Sequence, residues 1–177
     1  MDRKDYQNRR VDGIISPNRL PPVFKAYSPR TDFQAGIPAT HGCAIQFDFR
    51  KNNTSNIASM MLKVARQNGA ITDDGDASFD WEHERLYTKL TIWEIGHVLS
   101  VLNERRAVAK FLNKSHEGDI AVTVESEIDG DDMGVTKISF MPTTGLPMTA
   151  IIQPYQAEPL RVFLEEGVRR ILFSRAS

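Results

Sequence analysis

Apolar and polar residues alternate with period two along most of this chain, and a helical period replaces the alternation twice. After Gly42, the residues Cys43, Ile45, Phe47 and Phe49 alternate with Ala44, Gln46, Asp48 and Arg50, the pattern of a strand with one buried and one wet face. Arg50, Lys51 and the polar run from Asn52 to Asn56 make the next turn. Met60, Leu62 and Val64 alternate with Met61, Lys63 and Ala65 in a second strand that leaves Lys63 exposed, and Gln67-Asn68-Gly69 is a reverse-turn signal. Ala77 to Trp81 and Arg85 to Leu90 supply a third and a fourth strand around a turn at Glu82 to Glu84. Within the last of these, Leu86, Thr88 and Leu90 face one way and Arg85, Tyr87 and Lys89 the other.

The strand pattern stops at Thr91. Thr91 and Glu94 read as a capping box, in which the hydroxyl accepts an orphan N–H of the first turn and the carboxylate reaches back to another. A helix therefore begins at about Ile92, with Ile92, Ile95, Leu99 and Leu102 as its apolar stripe and Gly96 available for close approach of another backbone. Ala107 to Asn113, Ile120 to Glu127, Val135 to Met141 and Met148 to Gln153 then read as four further strands. From about Ala157, with Pro159 in the first turn, Leu160, Phe163, Leu164, Val168, Ile171 and Leu172 form a second stripe, and Arg169 and Arg170 lie on its other side. The expected fold class is α+β: two β-β-β-β-α repeats giving two antiparallel sheets packed with two helices.

The run Phe79-Asp80-Trp81, a short charged turn, a strand, then Thr91-Ile92-Trp93-Glu94-Ile95-Gly96-His97 resembles the strand–helix junction of the Whirly family of single-stranded DNA-binding proteins. The resemblance covers about residues 42 to 173. It departs from the family in the first strand, where His41-Gly42-Cys43-Ala44-Ile45 stands in place of a K-G-K-A-A motif and lacks both lysines. The resemblance implies the double β-β-β-β-α layout, a homotetramer built through its helices, and sheet edges free for a strand of DNA. Kinetoplastid guide-RNA-binding proteins share that fold, which keeps RNA as an alternative ligand.

Composition narrows this picture. With 177 residues, 41% hydrophobic and 25% charged, the chain suffices for one ordinary domain with a real core. It contains no apolar run of the roughly twenty residues that a membrane span needs and no N-terminal apolar segment of signal-peptide type. A cytoplasmic or organellar protein, not secreted and with no membrane partner, is expected. The single cysteine, Cys43, excludes an internal disulfide and a cysteine-based zinc site.

A net charge of −1 hides an uneven distribution. Residues 1 to 40 carry seven Lys or Arg against four Asp, and most of the prolines; they are expected to be a flexible basic arm, with residues 41 to 177 as the binding domain. The window from Ser115 to Val135 holds seven acids and no Lys or Arg. It reads as a solvated hairpin tip. The calcium-loop template fails there, because Met133 stands where an oxygen ligand is needed and Phe140 where the terminal Glu should be.

Catalysis finds little support in this chain. His83-Glu84 is followed by Tyr87 where a zinc-protease helix needs its second histidine, and His41, His83, His97 and His116 show no ligand spacing. Cys43 shares a strand face with Ile45 and Phe47, which suits a small buried hydrophobe better than a nucleophile. No enzyme, no cofactor and no metal are expected.

Binding finds more. Single strands are held by cations along the phosphates and by aromatic faces on which bases stack. Arg50, Lys51, Lys63, Arg66, Arg85, Lys89, Lys110 and Lys137 are the candidate phosphate contacts, and Trp81, Tyr87 and Phe111 the candidate stacking faces. Strand aromatics also belong in cores; Tyr87 is the best exception, since it shares a face with Arg85 and Lys89. Gly96, Leu99, Leu164, Gly167, Val168 and Ile171 are the candidate oligomer interface, because both helical stripes are wider than one sheet contact requires. The expected function is largely sequence-independent single-stranded DNA binding in replication, recombination, repair or transcription. Its rivals are an RNA-binding or annealing factor and a protein-interaction module.

Overall fold

Successive runs of alternation pair with one another in chain order, which gives two meanders. The computed structural model describes residues 23–32, 34, 42–51, 58–115, 118–127 and 134–173. The first sheet contains β1 (Val23–Ser28), β2 (Cys43–Lys51), β3 (Ala58–Gln67) and β4 (Phe79–Leu90) in that order, followed by the helix α1 (Ile92–Leu102). The second contains β5 (Val108–Ser115), β6 (Gly118–Glu127), β7 (Val135–Pro142) and β8 (Met148–Ile152), followed by α2 (Pro154–Phe173). All neighbouring strands are antiparallel. The architecture is therefore α+β with two antiparallel sheets and two helices, as expected.

The first sheet reaches its four strands by a different route from the expected one. Val23–Ser28, assigned above to the basic arm, is the edge strand β1, and it pairs with β2 from Val23↔Asp48 to Ser28↔Cys43. The expected third and fourth strands are one strand, β4. Asp80 pairs with Arg66 and Arg85 with Ala65, so Trp81 to Glu84 stand out of the ladder as a bulge between two stretches facing the same neighbour. The Asp80 carboxylate accepts the N–H groups of Glu82 at 3.0 Å and His83 at 2.8 Å. The turn is real, but it returns the chain to β3 instead of starting a new strand. The domain thus begins by Val23, not at residue 41; of the rest of the arm, residues 1–22, 33 and 35–40 lie outside the described residues.

Capping decides the helix boundaries. Thr91 accepts the Glu94 N–H and Glu94 accepts the Thr91 N–H at 2.6 Å, both halves of the capping box. The second helix starts a turn earlier than the apolar stripe indicates. Pro154 occupies its first position, where a missing N–H costs nothing, and Gln156 caps the N–H of Gln153 at 3.0 Å. Pro159 accordingly lies inside the helix, not in its first turn.

Alternation sends one face of each sheet into a single shared core, with Ile45, Phe47, Met60 and Val64 from the first sheet and Val124, Ile138, Phe140 and Ile152 from the second. Both helices close this core, α1 through Ile95, Val98 and Val101 and α2 through Leu160, Phe163, Leu164 and Ile171. Gly167 leaves room for the Met60 side chain of β3, whose methyl end occupies the space a Cβ would take.

Among the polar contacts that join the halves, two involve β5 and β8. At the first, Asn113 of β5 donates to Glu94 Oε1 at 2.7 Å and to the carbonyl of Lys89, and it accepts from the Thr88 hydroxyl. Thr88, Glu94 and Asn113 are all buried. At the second, the Ser28 hydroxyl donates to the Ile151 carbonyl at 2.6 Å and accepts its N–H at 2.8 Å, tying β1 to the edge of β8.

Asn113→Ala removes the one donor that Glu94 Oε1 has in this junction and leaves a buried carboxylate oxygen and the Thr88 hydroxyl short of partners. Urea denaturation should show a loss of about 2–4 kcal/mol; a loss under about 0.5 kcal/mol would mean that water or repacking replaces the amide.

Candidate nucleic-acid interface

The outer face of the first sheet is fixed by the same register that builds its core. Every residue that pairs across from an inward residue's neighbour must point outward, which gives rows running across the strands. One row is Lys25, Gln46, Lys63 and Tyr87, and a second is Tyr27, Ala44, Ala65 and Arg85. A third is Val23, Asp48, Met61 and Lys89. Arg50 continues this face at the end of β2.

Cations and aromatic rings are interleaved here. Lys63 Nζ lies 5.4 Å and Arg50 Cζ 5.9 Å from the centre of the Tyr87 ring. Lys25 Nζ lies 5.7 Å from the Trp81 ring, and the rings of Tyr27 and Phe79 are 5.6 Å apart. The bulge in β4 is what carries Trp81 onto this face, and Arg85 steadies it by donating to the Trp81 carbonyl at 2.8 Å. The backbone N–H of His83, foremost, holds the Asp80 carboxyl below the usual carboxylate range, so the turn beneath Trp81 rests on an ionised side chain. Asp48 is nearly buried between the rows, and Arg50 offsets its charge at 2.9 Å. Cation–aromatic pairs at this distance are worth about 0.5–1 kcal/mol at an exposed site.

Of the expected phosphate contacts and stacking faces, Arg50, Lys63, Trp81, Arg85, Tyr87 and Lys89 share this face. Lys51 ends β2 on the same sheet, but its side chain lies outside the described residues. Arg66 does not belong to the face. Beyond the irregularity at Ala65 it pairs with Cys43, turns inward, is 7% exposed, and donates to the Leu146 carbonyl at 3.3 Å. Phe111 also turns inward, because its row runs through Val122, Phe140 and Met148, and its ring stacks on His97 of α1 at 5.6 Å. Lys110 and Lys137 lie on the outer face of the second sheet, where Lys110 pairs across from Thr123 and Lys137 is bound to Glu127. The expected single track of cations is therefore split, with its larger part on the first sheet. Lys25, Tyr27 and Phe79 were missed. The alternation Phe24-Lys25-Ala26-Tyr27 carried the signal, and the proline pair before it masked it.

The expected interface residues behave differently. Leu164 is fully buried, and Gly167 and Ile171 are buried too, all within this chain's own core. Leu99 and Val168 are half-buried against the core. Gly96 is exposed, and nothing lies within 4 Å of the position its Cβ would take. What the helices leave outside is a different set: Trp93 at 85% exposure, Tyr155, Val162, Leu172 and Phe173. Sequence periodicity found the stripes but could not tell which side of each meets its own sheet.

Residues 128–133, which include the acidic cluster, lie outside the described residues, although the pairing Glu127↔Val135 shows that they connect a hairpin. His41 and His116 also lie outside them. Among the described residues, no group of three or more His, Cys, Asp or Glu could hold a metal ion, and no helix is long and apolar enough to cross a membrane.

The sequence matches no protein-family model and no curated protein. The fold is similar to that in the crystal structures of Trypanosoma brucei MRP1/MRP2, with a TM-score of 0.56 and 16% identity over 85% of each chain. At that identity the likeness concerns the fold alone.

Cys43 is sealed in the core, and burial pushes its thiol up to about 11 against the smaller opposing effects of the Thr149 N–H and the Arg66 charge. The thiol is therefore protonated at any pH near neutrality. A disulfide reagent at about pH 8 should label the native chain only as fast as it unfolds, and the denatured chain at once. Prompt labelling of native protein would place the sulfur at the surface.

Proposed function

We propose that this chain is a Whirly-like protein that binds single-stranded DNA, largely independently of sequence, through the outer face of its first sheet. The observation that carries this reading is the row of alternating charge and ring on that face: Lys25 over Trp81, and Lys63 and Arg50 beside Tyr87. A strand laid across it would find a cation for successive phosphates and an aromatic face for successive bases. Duplex DNA fits poorly, because its bases are already stacked on each other. Replication, recombination, repair and transcription all expose such strands. RNA offers the same phosphates and bases, so it is the alternative ligand, and a protein-interaction role without nucleic acid is the third.

Anisotropy titrations with labelled oligothymidine, the matching RNA and a duplex should show tightest binding to the single DNA strand. Log affinity should fall linearly with log salt, and Lys63→Ala should flatten that slope by about 0.7, the share of one phosphate contact on a single strand. Tyr87→Ala should cost about 1–3 kcal/mol at constant salt. Equal affinity for duplex sinks the single-strand reading, tighter RNA binding transfers it to the alternative, and no binding at low salt leaves the protein-interaction role.

We infer further that the chain assembles as a homotetramer, with helical surface at the interface. Support comes from the apolar surface that the helices leave uncovered, Trp93 and Phe173 above all, a pattern that water does not favour on an isolated molecule. Trp93→Asp should yield smaller particles by light scattering, with an unchanged thermal midpoint and weaker DNA binding through lost avidity. A wild-type monomer at micromolar concentration overturns the assembly.

A further inference from the structure

The central row of the outer face has a member that neither stacks nor carries charge. Gln46 stands on β2 between Lys25 of β1 and Lys63 of β3, its cross-strand partners on either side. It is 9% exposed. Among the described residues its carboxamide takes no hydrogen-bond partner, while Gln67, the other strand glutamine that is buried, has three bonds: it accepts the Arg30 N–H and donates to the carbonyls of Arg30 and Gly69. Yet no buried side-chain nitrogen or oxygen in the described structure lacks a partner, so Gln46 must keep Oε1 and Nε2 open to the surface while the rest of its side chain is covered. A recessed amide with both its donor and its acceptor unspent, flanked by two cations, is built to be met by something.

On the reading that this face binds single strands, we propose that Gln46 is a base-reading residue, whose carboxamide pairs with the edge of a nucleobase held between the Trp81–Lys25 and Tyr87–Lys63 pairs. A carboxamide offers one acceptor beside two donors, and the matching edge must offer a donor beside an acceptor. Adenine does so on two separate edges, through its N6 amine with N7 and through the same amine with N1, whereas thymine does so on its Watson–Crick edge alone, through N3–H with O4 or O2. Glutamine–adenine pairing of this kind discriminates by about 1–3 kcal/mol. Lys25 and Lys63 would take the phosphates on either side, so they set the position of the strand, and Gln46 reads what is brought to it. The binding that the neighbouring rings and lysines make sequence-tolerant therefore gains one position with a preference.

The test compares oligothymidine with the same strand carrying one central adenine, on the full-length chain. Wild-type protein should bind the adenine strand about 5- to 150-fold tighter, the equivalent of one good bidentate pair. Gln46→Met keeps the length of the side chain and removes both polar atoms. It should bind the two strands equally, with its salt slope unchanged, because the lysines that meet the phosphates are untouched. Gln46→Glu, which keeps the shape and loses the donor, should also lose the adenine preference, and it serves if the methionine variant folds poorly. Tight binding of both strands without preference by the wild type, or a preference that survives in both variants, overturns the role of Gln46 and leaves single-strand binding standing. Failure of the wild type to bind either strand at low salt overturns both.

Discussion

The structure depends on a buried carboxylate that has no cation beside it among the described residues. Glu94 accepts the N–H of Thr91 on one oxygen and the amide of Asn113 on the other, and Asn113 in turn reaches the Lys89 carbonyl and the Thr88 hydroxyl. A charge taken out of water is costly unless every lone pair is met. Here the partners come from the last turn of the first sheet, the start of α1 and the middle of β5. Moving any of the three strands the charge. Apolar packing alone would tolerate a slid or rotated helix, because leucine and isoleucine contacts are forgiving; the hydrogen-bonded cluster accepts one arrangement.

With that junction fixed, the two faces of each sheet acquire different chemistry by parity alone. Inward positions on both sheets are mostly apolar and meet in one core. Outward positions diverge. On the second sheet Ser139 and Thr149 bond each other and Lys137 is engaged by Glu127, so much of the polarity is satisfied internally. On the first sheet Lys25 and Lys63 lie beside rings, and Asp48 is matched by Arg50. The bulge in β4 adds to this asymmetry, because it lifts Trp81 out of the ladder and sets it over a floor that Ala44 and Ala65 keep low.

Much of this was legible in the sequence, and the parts that were not share a physical cause. The capping box at Thr91 and Glu94 is a local device, and it formed where its spacing placed it. Parity in β2, β3 and β4 likewise put Lys63, Arg85, Tyr87 and Lys89 outside. The errors arose where a distant partner overruled a local signal. Val23–Ser28 is short and follows two prolines, so only its pairing with β2 makes it a strand. Asp80 and the charged turn look like a hairpin until β3 pairs with both flanks. Arg66 has the parity of Met60, Leu62 and Val64 and so points inward with them, where its charge suggested the wet face, and Gly167 faces inward, where the Met60 side chain lies. The polar role of Asn113, in the middle of an apolar strand, had no signal of its own.

A strand at the edge of a sheet normally keeps a row of free amides and carbonyls, and these can recruit an edge from another molecule. At Ile151 that invitation is withdrawn by a single hydroxyl, since Ser28 gives one bond and takes one, as a neighbouring strand would. The closure comes from β1, the shortest strand of the first sheet and the one farthest from its helix in chain order. An unfolding event that peels β1 away would therefore uncover two edges at once, its own side of β2 and the far side of β8. Chains that lose this strand during synthesis or proteolysis should be the ones most prone to joining each other through their sheets rather than through their helices.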